Sequence, residues 1–321
     1  MFGLRWALGA LSLLLASFVG SVVFAQAWPT KPVRVLVAFP AGGATDATAR
    51  AFSDKLSAEF GQQFVVENRV GASGVIGHEA CAKAAPDGYT ICVNTLGALG
   101  LLPHVRKTPY DPLKDFTPVG RVTDALFGFA SPPDVPWKTL KEFAELAKKD
   151  PGKYTLANSG IGTITHLAGE TMASHFGIKL TIVPYRGGVE QLQDALAGHV
   201  SMMYEGNIFP HIKAGKLKGL AVSTPFRHPA FPDIPSMQEI FPDWDMPSWF
   251  AVMGPAGMPP VVAEKLSPVL NKIADMPDVQ ERCLAMGVKT LKDTPDGLAA
   301  ELRKQHANFG GLVKKFNIKV E

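Results

Sequence analysis

The chain of 321 residues is short of net charge: 32 Lys and Arg against 29 Asp and Glu leave +3. A nucleic-acid partner would need a concentrated basic face, and none is expected here. Cysteine is scarce, with only Cys81, Cys92 and Cys283. No Cys or His spacing suits a metal ion, so no metal site is expected. No Gly-rich loop ends in Gly-Lys-Ser/Thr, and there is neither a G-x-G-x-x-G fingerprint nor a G-x-S-x-G elbow. Phosphate-loop, dinucleotide-binding and serine-hydrolase readings therefore lack their signatures. No cofactor, no catalytic residue and no enzymatic activity are expected.

Long apolar runs are equally scarce. One occurs, Trp6 to Phe24, and Arg5 is the only charge in the first 27 residues. Ala25-Gln26-Ala27 ends the run with small residues, the pattern of a cleavable secretory signal. Residues 1–27 are read as a signal peptide. No Cys follows the cleavage site, so no lipid anchor is indicated. Losing Arg5 leaves 31 basic against 29 acidic residues, a mature charge of +2. The mature protein is expected to be a soluble monomer of the periplasm. An odd cysteine count leaves at least one free thiol. Cys81 and Cys92 fall in a helical and a strand pattern and read as small core residues. A bridge between them stays open.

What is present is a repeated grammar. Val33 to Phe39 is an apolar run typical of a buried strand. Pro40 to Asp46 breaks it, and a helix follows with Ala49, Phe52, Leu56 and Phe60 at helical spacing. Strands are expected at Phe64–Glu67 and Tyr89–Val93, with a helix between them. Tyr154 to Asn158 is a second buried strand, followed by the loop Ser159 to Thr163 and another helix. Further strands are expected at Thr181–Pro184, Val200–Tyr204 and Leu217–Val222. The Pro-rich stretch 225–247 should wrap the surface, and the tail reads as helical. Strands alternating with helices in two sets predict two α/β units.

Twice, then, a buried strand ends, a Gly-rich loop turns and a helix begins. Open α/β sheets bind ligands at the carboxyl ends of their strands. A helix N-terminus there offers unpaired N–H groups and about half a positive charge, which suits a carboxylate without Arg or Lys. Ordinary strand-to-helix turns remain the competing reading.

At these residues the sequence resembles the tripartite tricarboxylate transporter receptors, the Bug or TctC-type solute-binding proteins. The matching strings include PAGGATDATAR (40–50), AAPDGYT (84–90), PYDPLKDFTPVG (109–120), SGIGTITHLAGE (159–170), VPYRGG (183–188), IKAGKLKGLAV (212–222) and GPAGMPP (254–260). The resemblance implies a type II periplasmic-binding-protein fold, two α/β lobes with a ligand cleft between them. It implies a small organic carboxylate as ligand and membrane transporter subunits as partners. Family binding loops map onto Ala41, Gly42, Gly43, Thr45 and Asp46, and onto Ser159, Gly160, Gly162, Thr163 and His166. Ser73, Thr95 and Glu205 are expected to line the same cleft.

Lobe 1 is expected to comprise residues 28–126 and 250–321, and lobe 2 residues 127–249, with crossovers near Val119–Phe129 and Pro247–Val252. Asp46 is read as a helix N-cap or a ligand contact. Thr45, Ser159 and Thr163 can touch a ligand or brace their loops. His166 lies in the first turn of a helix, where its neutral form is favoured. Glu205 reads either as a solvated strand-end acid or as an acceptor for a ligand donor group. Two alternative functions stand beside capture for transport. One is presentation of the ligand to a sensor kinase. The other is an enzyme using Ser159 and His166.

Overall fold

The computed structural model describes residues 28–315 apart from Pro225 and Pro229. The expected signal peptide, residues 1–27, lies outside the described residues.

The strand Val33–Val37 (β1) is flanked in parallel by Phe64–Asn68 (β2) and Thr90–Thr95 (β3). These are the apolar runs that the sequence marks, and β3 is buried along its whole length. Phe116–Ala125 (β4), Gly128–Ser131 (β5), Thr155–Asn158 (β6), Thr181–Pro184 (β7), Met202–Glu205 (β8) and Lys218–Val222 (β9) follow. Trp249–Pro255 (β10) and Val288–Thr290 (β11) come last. The strands form a six-stranded sheet ordered β11-β4-β10-β3-β1-β2 and a five-stranded sheet ordered β7-β6-β8-β5-β9. The fold is mixed α/β with one lobe on each sheet.

Four strands, β4, β5, β10 and β11, are absent from the strands expected from sequence. β10 occupies the region taken for a connection, and it inserts antiparallel between β3 and β4. β4 carries Pro118, Gly120, Arg121 and Asp124, a pattern that hides a strand. β5, likewise, runs antiparallel to both β8 and β9. The chain passes from the first sheet to the second at Leu126–Phe127, between β4 and β5. It returns between β9 and β10.

Helices cover both sheets. Ala44–Phe60 (α1) buries Ala49, Phe52 and Leu56 and ends at Gly61, whose φ of 67° closes the last turn through an N–H bond to Ser57 O. Val75–Ala82 (α2) follows. The second lobe carries Leu140–Lys149 (α3), Ile164–Phe176 (α4) and Gly188–Leu196 (α5). Pro260–Ala274 (α6) packs on β4 and α1, Pro277–Ala285 (α7) on α1 and β11, and Pro295–Lys315 (α8) on β4. The tail thus adds its helices and β11 to the first sheet.

The Pro-rich stretch does more than wrap the surface. It drives Trp244 and Met246 into the interior, and the Trp244 indole N–H donates to Ser223 Oγ at 3.0 Å. A buried indole needs such a partner.

Cys81 and Cys92 are joined in a disulfide with their Cα atoms 6.2 Å apart, while Cys283 is free and buried. The bond ties α2 to β3 across a separation of 11 residues. Closing a loop of that length removes about 3 kcal/mol of unfolded-chain freedom. Replacing both cysteines by serine is expected to lower unfolding stability by about that amount, read from urea melts. An unchanged midpoint would show the bond to be stabilising nothing.

Candidate functional site

The carboxyl ends of β1, β3, β6 and β8 open onto one cleft of about 720 Å³, including its open mouth. Three helices begin at its wall: α1, α4 and α5.

The first loop follows β1. Gly43 caps α1 with extended backbone and no side-chain cap, so the first-turn N–H groups gain no side-chain partner. Gly43, Ala44 and Thr45 line the cleft. Asp46 does not, and it is not the cap. It is buried, at 2% exposure, and accepts from Gly42 N, Arg50 Nε and Asn68 Nδ2, each at 2.9 Å. Its carboxylate shapes the loop from behind. Burial alone would raise its pKa, but the bonds from Arg50, Gly42 and Asn68 outweigh it and hold the carboxyl below its usual range. Gly42 has φ +82°, a left-handed conformation that suits glycine, and Ala41 and Gly42 are exposed and do not line the cleft.

The second loop follows β6. Asn158 Oδ1 accepts from Gly160 N at 2.8 Å, and Thr163 Oγ1 donates to Gly160 O at 2.7 Å. Thr163 caps α4, accepting from His166 N at 3.4 Å. Ser159, Gly162 and Thr163 line the cleft, whereas Gly160 and His166 do not. The His166 Nδ1 accepts from Gly162 N at 3.3 Å, and burial lowers its pKa. Both observations fit a neutral ring that braces the loop.

A third start was not foreseen. Gly187 caps α5 without a side-chain bond, and Gly187, Gly188 and Val189 line the cleft. The signal was available: β7 ends, Gly187-Gly188 turns, and a helix begins, as in the two loops that were singled out.

Ser73 and Thr95 line the cleft as expected. Ser73 sits at φ +56°. His78 of α2, which the sequence reading passed over, holds this corner. Its Nδ1 pairs with Gly74 O at 2.7 Å, and its Nε2 accepts from Thr95 N at 3.5 Å. Burial pushes its pKa down to about 4, against the pull of the Gly74 carbonyl. Residues Leu96 to Leu102 after β3 are all apolar; Gly97 and Ala98 reach the cleft, whereas Leu99, Leu101 and Leu102 go to the core. Phe127 and Phe250 supply apolar wall.

No Lys or Arg lines the cleft among the described residues, and Glu205 is its one acid. Glu205 is neither solvated nor in an ion pair. Its Oε2 accepts from Ser159 Oγ and from Gln191 Nε2 at 2.8 Å, and its Oε1 from Gly206 N at 3.1 Å. Burial raises its pKa more than these bonds lower it. An anion bound alongside would raise it further. Anion binding is then accompanied by proton uptake, so affinity falls as pH rises through the raised pKa of Glu205 and levels off above the bound-state value. Calorimetry from pH 5 to 9 is expected to show this fall in the wild type and a flat profile in Glu205→Gln. A flat wild-type profile would contradict it.

The two lobes touch across the cleft. A Cβ added at Gly160 would stand 2.8 Å from Ser73 Oγ, and one added at Gly187 would stand 2.9 Å from Pro40 Cδ.

This arrangement has counterparts. Residues 48–318 match the family model for the tripartite tricarboxylate transporter family receptor. A UPF0065 protein from the tcbD-tcbE intergenic region of Pseudomonas sp. strain P51 is 34% identical, covering 91% of this chain and 88% of its own. The periplasmic binding protein BugD superposes with a TM-score of 0.86 at 34% identity, covering 92% of this chain and all (100%) of that one. Rhodopseudomonas palustris provides two ligand-bound structures, both 28% identical. Rpa4515 with adipate has a TM-score of 0.86 and covers 91% of this chain and 99% of its own. MatC with bound malate has a TM-score of 0.84 and covers 89% and 100%. The chain belongs to the tripartite tricarboxylate transporter receptor family.

Proposed function

We propose that this protein is a periplasmic receptor that captures one small organic carboxylate in the cleft and delivers it to membrane subunits of a tripartite tricarboxylate-type transporter. The observation that carries the reading is the convergence of three helix N-termini on a cleft whose wall, among the described residues, has no Lys or Arg. The uncapped first turns of α1 and α5, together with the three helix dipoles, favour an anion there, and a carboxylate fits their geometry. The adipate- and malate-bound relatives support the ligand class. Ligand contacts fall to Gly43, Thr45, Ser73, Thr95, Ser159, Gly162, Thr163 and Glu205, joined by Gly187, Gly188 and Val189. The lobes hinge at Leu126–Phe127 and near Pro247, where the chain leaves the packing around Trp244 and enters β10. The molecule works as a monomer.

A hydrolytic role for Ser159 finds no support. Its Oγ is engaged with Glu205 and Gln191, and the His166 Nδ1 is occupied by Gly162 N.

Thermal unfolding in the presence of mono-, di- and tricarboxylates tests the reading. A ligand at a hundred times its Kd stabilises the folded state by about 2.7 kcal/mol. At least one carboxylate is expected to raise the Tm by several degrees. Stabilisation by a neutral sugar or a cationic amine alone would refute the ligand class.

A further inference from the structure

The α5 end of the cleft does not consist of donors alone. Asn207 lines it at 6% exposure. Its Nδ2 donates to the Gly188 carbonyl at 2.9 Å, which fixes the orientation of the amide. The group left over is Oδ1, a buried acceptor with no hydrogen-bond partner. Such an atom costs stability unless something donates to it. Gly188 is therefore a junction. Its carbonyl holds Asn207, its N–H belongs to the uncapped first turn of α5, and a Cβ on it would come 3.0 Å from Glu205 Cγ. A carboxylate cannot satisfy Oδ1, because both are acceptors. The N–H groups call for a carboxylate, and the neighbouring oxygen calls for a donor.

We infer that this cleft selects carboxylates that carry a hydroxyl next to the carboxylate group, with Asn207 Oδ1 accepting the hydroxyl's hydrogen bond while the first turn of α5 holds the carboxylate. The inference rests on the carboxylate-capture reading above. An ammonium in the same place would face the positive ends of three helices. Its only acidic neighbour in the wall is Glu205, which burial draws towards its neutral form. A hydroxyl meets no such penalty.

Matched trios decide the point: succinate, malate and aspartate; glutarate, 2-hydroxyglutarate and glutamate; propionate, lactate and alanine. Each is titrated calorimetrically into wild type and Asn207→Leu, with thermal melts to verify folding. In any trio that binds, the hydroxy acid is expected to bind wild type at least tenfold more tightly than the plain acid, since a site with a buried polar group rejects the analogue that leaves it unpaired. Asn207→Leu is expected to bring that ratio to within about twofold. Equal binding of plain and hydroxy acids to wild type would overturn the inference while leaving carboxylate capture intact. A ratio preserved in Asn207→Leu would reduce Asn207 to a positioning residue for α5, and an amino acid as the tightest binder would overturn the hydroxyl assignment. If no carboxylate binds at all, capture itself falls. Should Asn207→Leu fail to fold, Asn207→Ala is titrated in its place, with the same outcomes expected and the same ones overturning the inference.

Discussion

Gly187→Val is expected to weaken carboxylate binding by roughly 10- to 100-fold while changing unfolding stability by less than about 1 kcal/mol. The backbone there is extended, with φ 177° and ψ −179°, so a β-branched residue fits without strain. The obstacle lies across the cleft. A Cβ would stand 2.9 Å from Pro40 Cδ, a rigid ring on the other lobe. Overpacking of this kind costs about 1–3 kcal/mol. The closed form alone would bear it, because in an open form the two loops part. Affinity falls because the ligand has to recruit a disfavoured state. Small-angle scattering should show the variant staying expanded at ligand concentrations that compact the wild type. Wild-type affinity in Gly187→Val would mean that Pro40 and Gly187 do not meet in the liganded form. Gly160→Val is a less clean probe, because φ +117° adds backbone strain to the collision.

Asp46→Asn is expected to cost about 2–3 kcal/mol of stability and most of the affinity. The carboxylate accepts from Gly42 N, Arg50 Nε and Asn68 Nδ2 in a buried setting. An amide there turns an NH₂ group towards at least one donor and leaves the loop behind Gly43 without its brace. The partly exposed Arg50 keeps the loss below that of a fully buried pair. The depressed pKa sets the pH dependence. A carboxyl whose folded value lies below the ordinary 3.8 stabilises above that value, and the gain is lost as pH falls through the folded pKa. Urea midpoints of wild type and variant should therefore converge on strong acidification. A constant gap down to low pH would show that the cost is steric.

The binding loops were legible in the sequence because their chemistry is local. A buried strand, a Gly-rich turn and a helix start within about ten residues, and both singled-out loops stand at the cleft. The same local grammar recurs at Gly187-Gly188, where β7 ends and α5 begins. Glu205 was legible as a strand end but not as a buried acid, because its partners Ser159 and Gln191 lie 46 and 14 residues away. Asp46 was misjudged as a cap because capping preferences do not reveal Asn68, 22 residues on. β10 is an apolar run, Trp249–Met253, of the kind that marks β1, but its antiparallel place between β3 and β4 rests on long-range pairing that the local sequence does not show. The Cys81–Cys92 bond depends on how α2 lies against β3, which spacing alone does not fix.

The most direct test is the structure of the protein crystallised with the tightest-binding carboxylate from the thermal screen. The account predicts carboxylate oxygens within hydrogen-bonding distance of first-turn N–H groups of α1 and α5, with no Lys or Arg reaching them. A carboxylate held instead by a basic side chain, or seated outside the cleft lined by Thr45, Ser159 and Gly188, would contradict it.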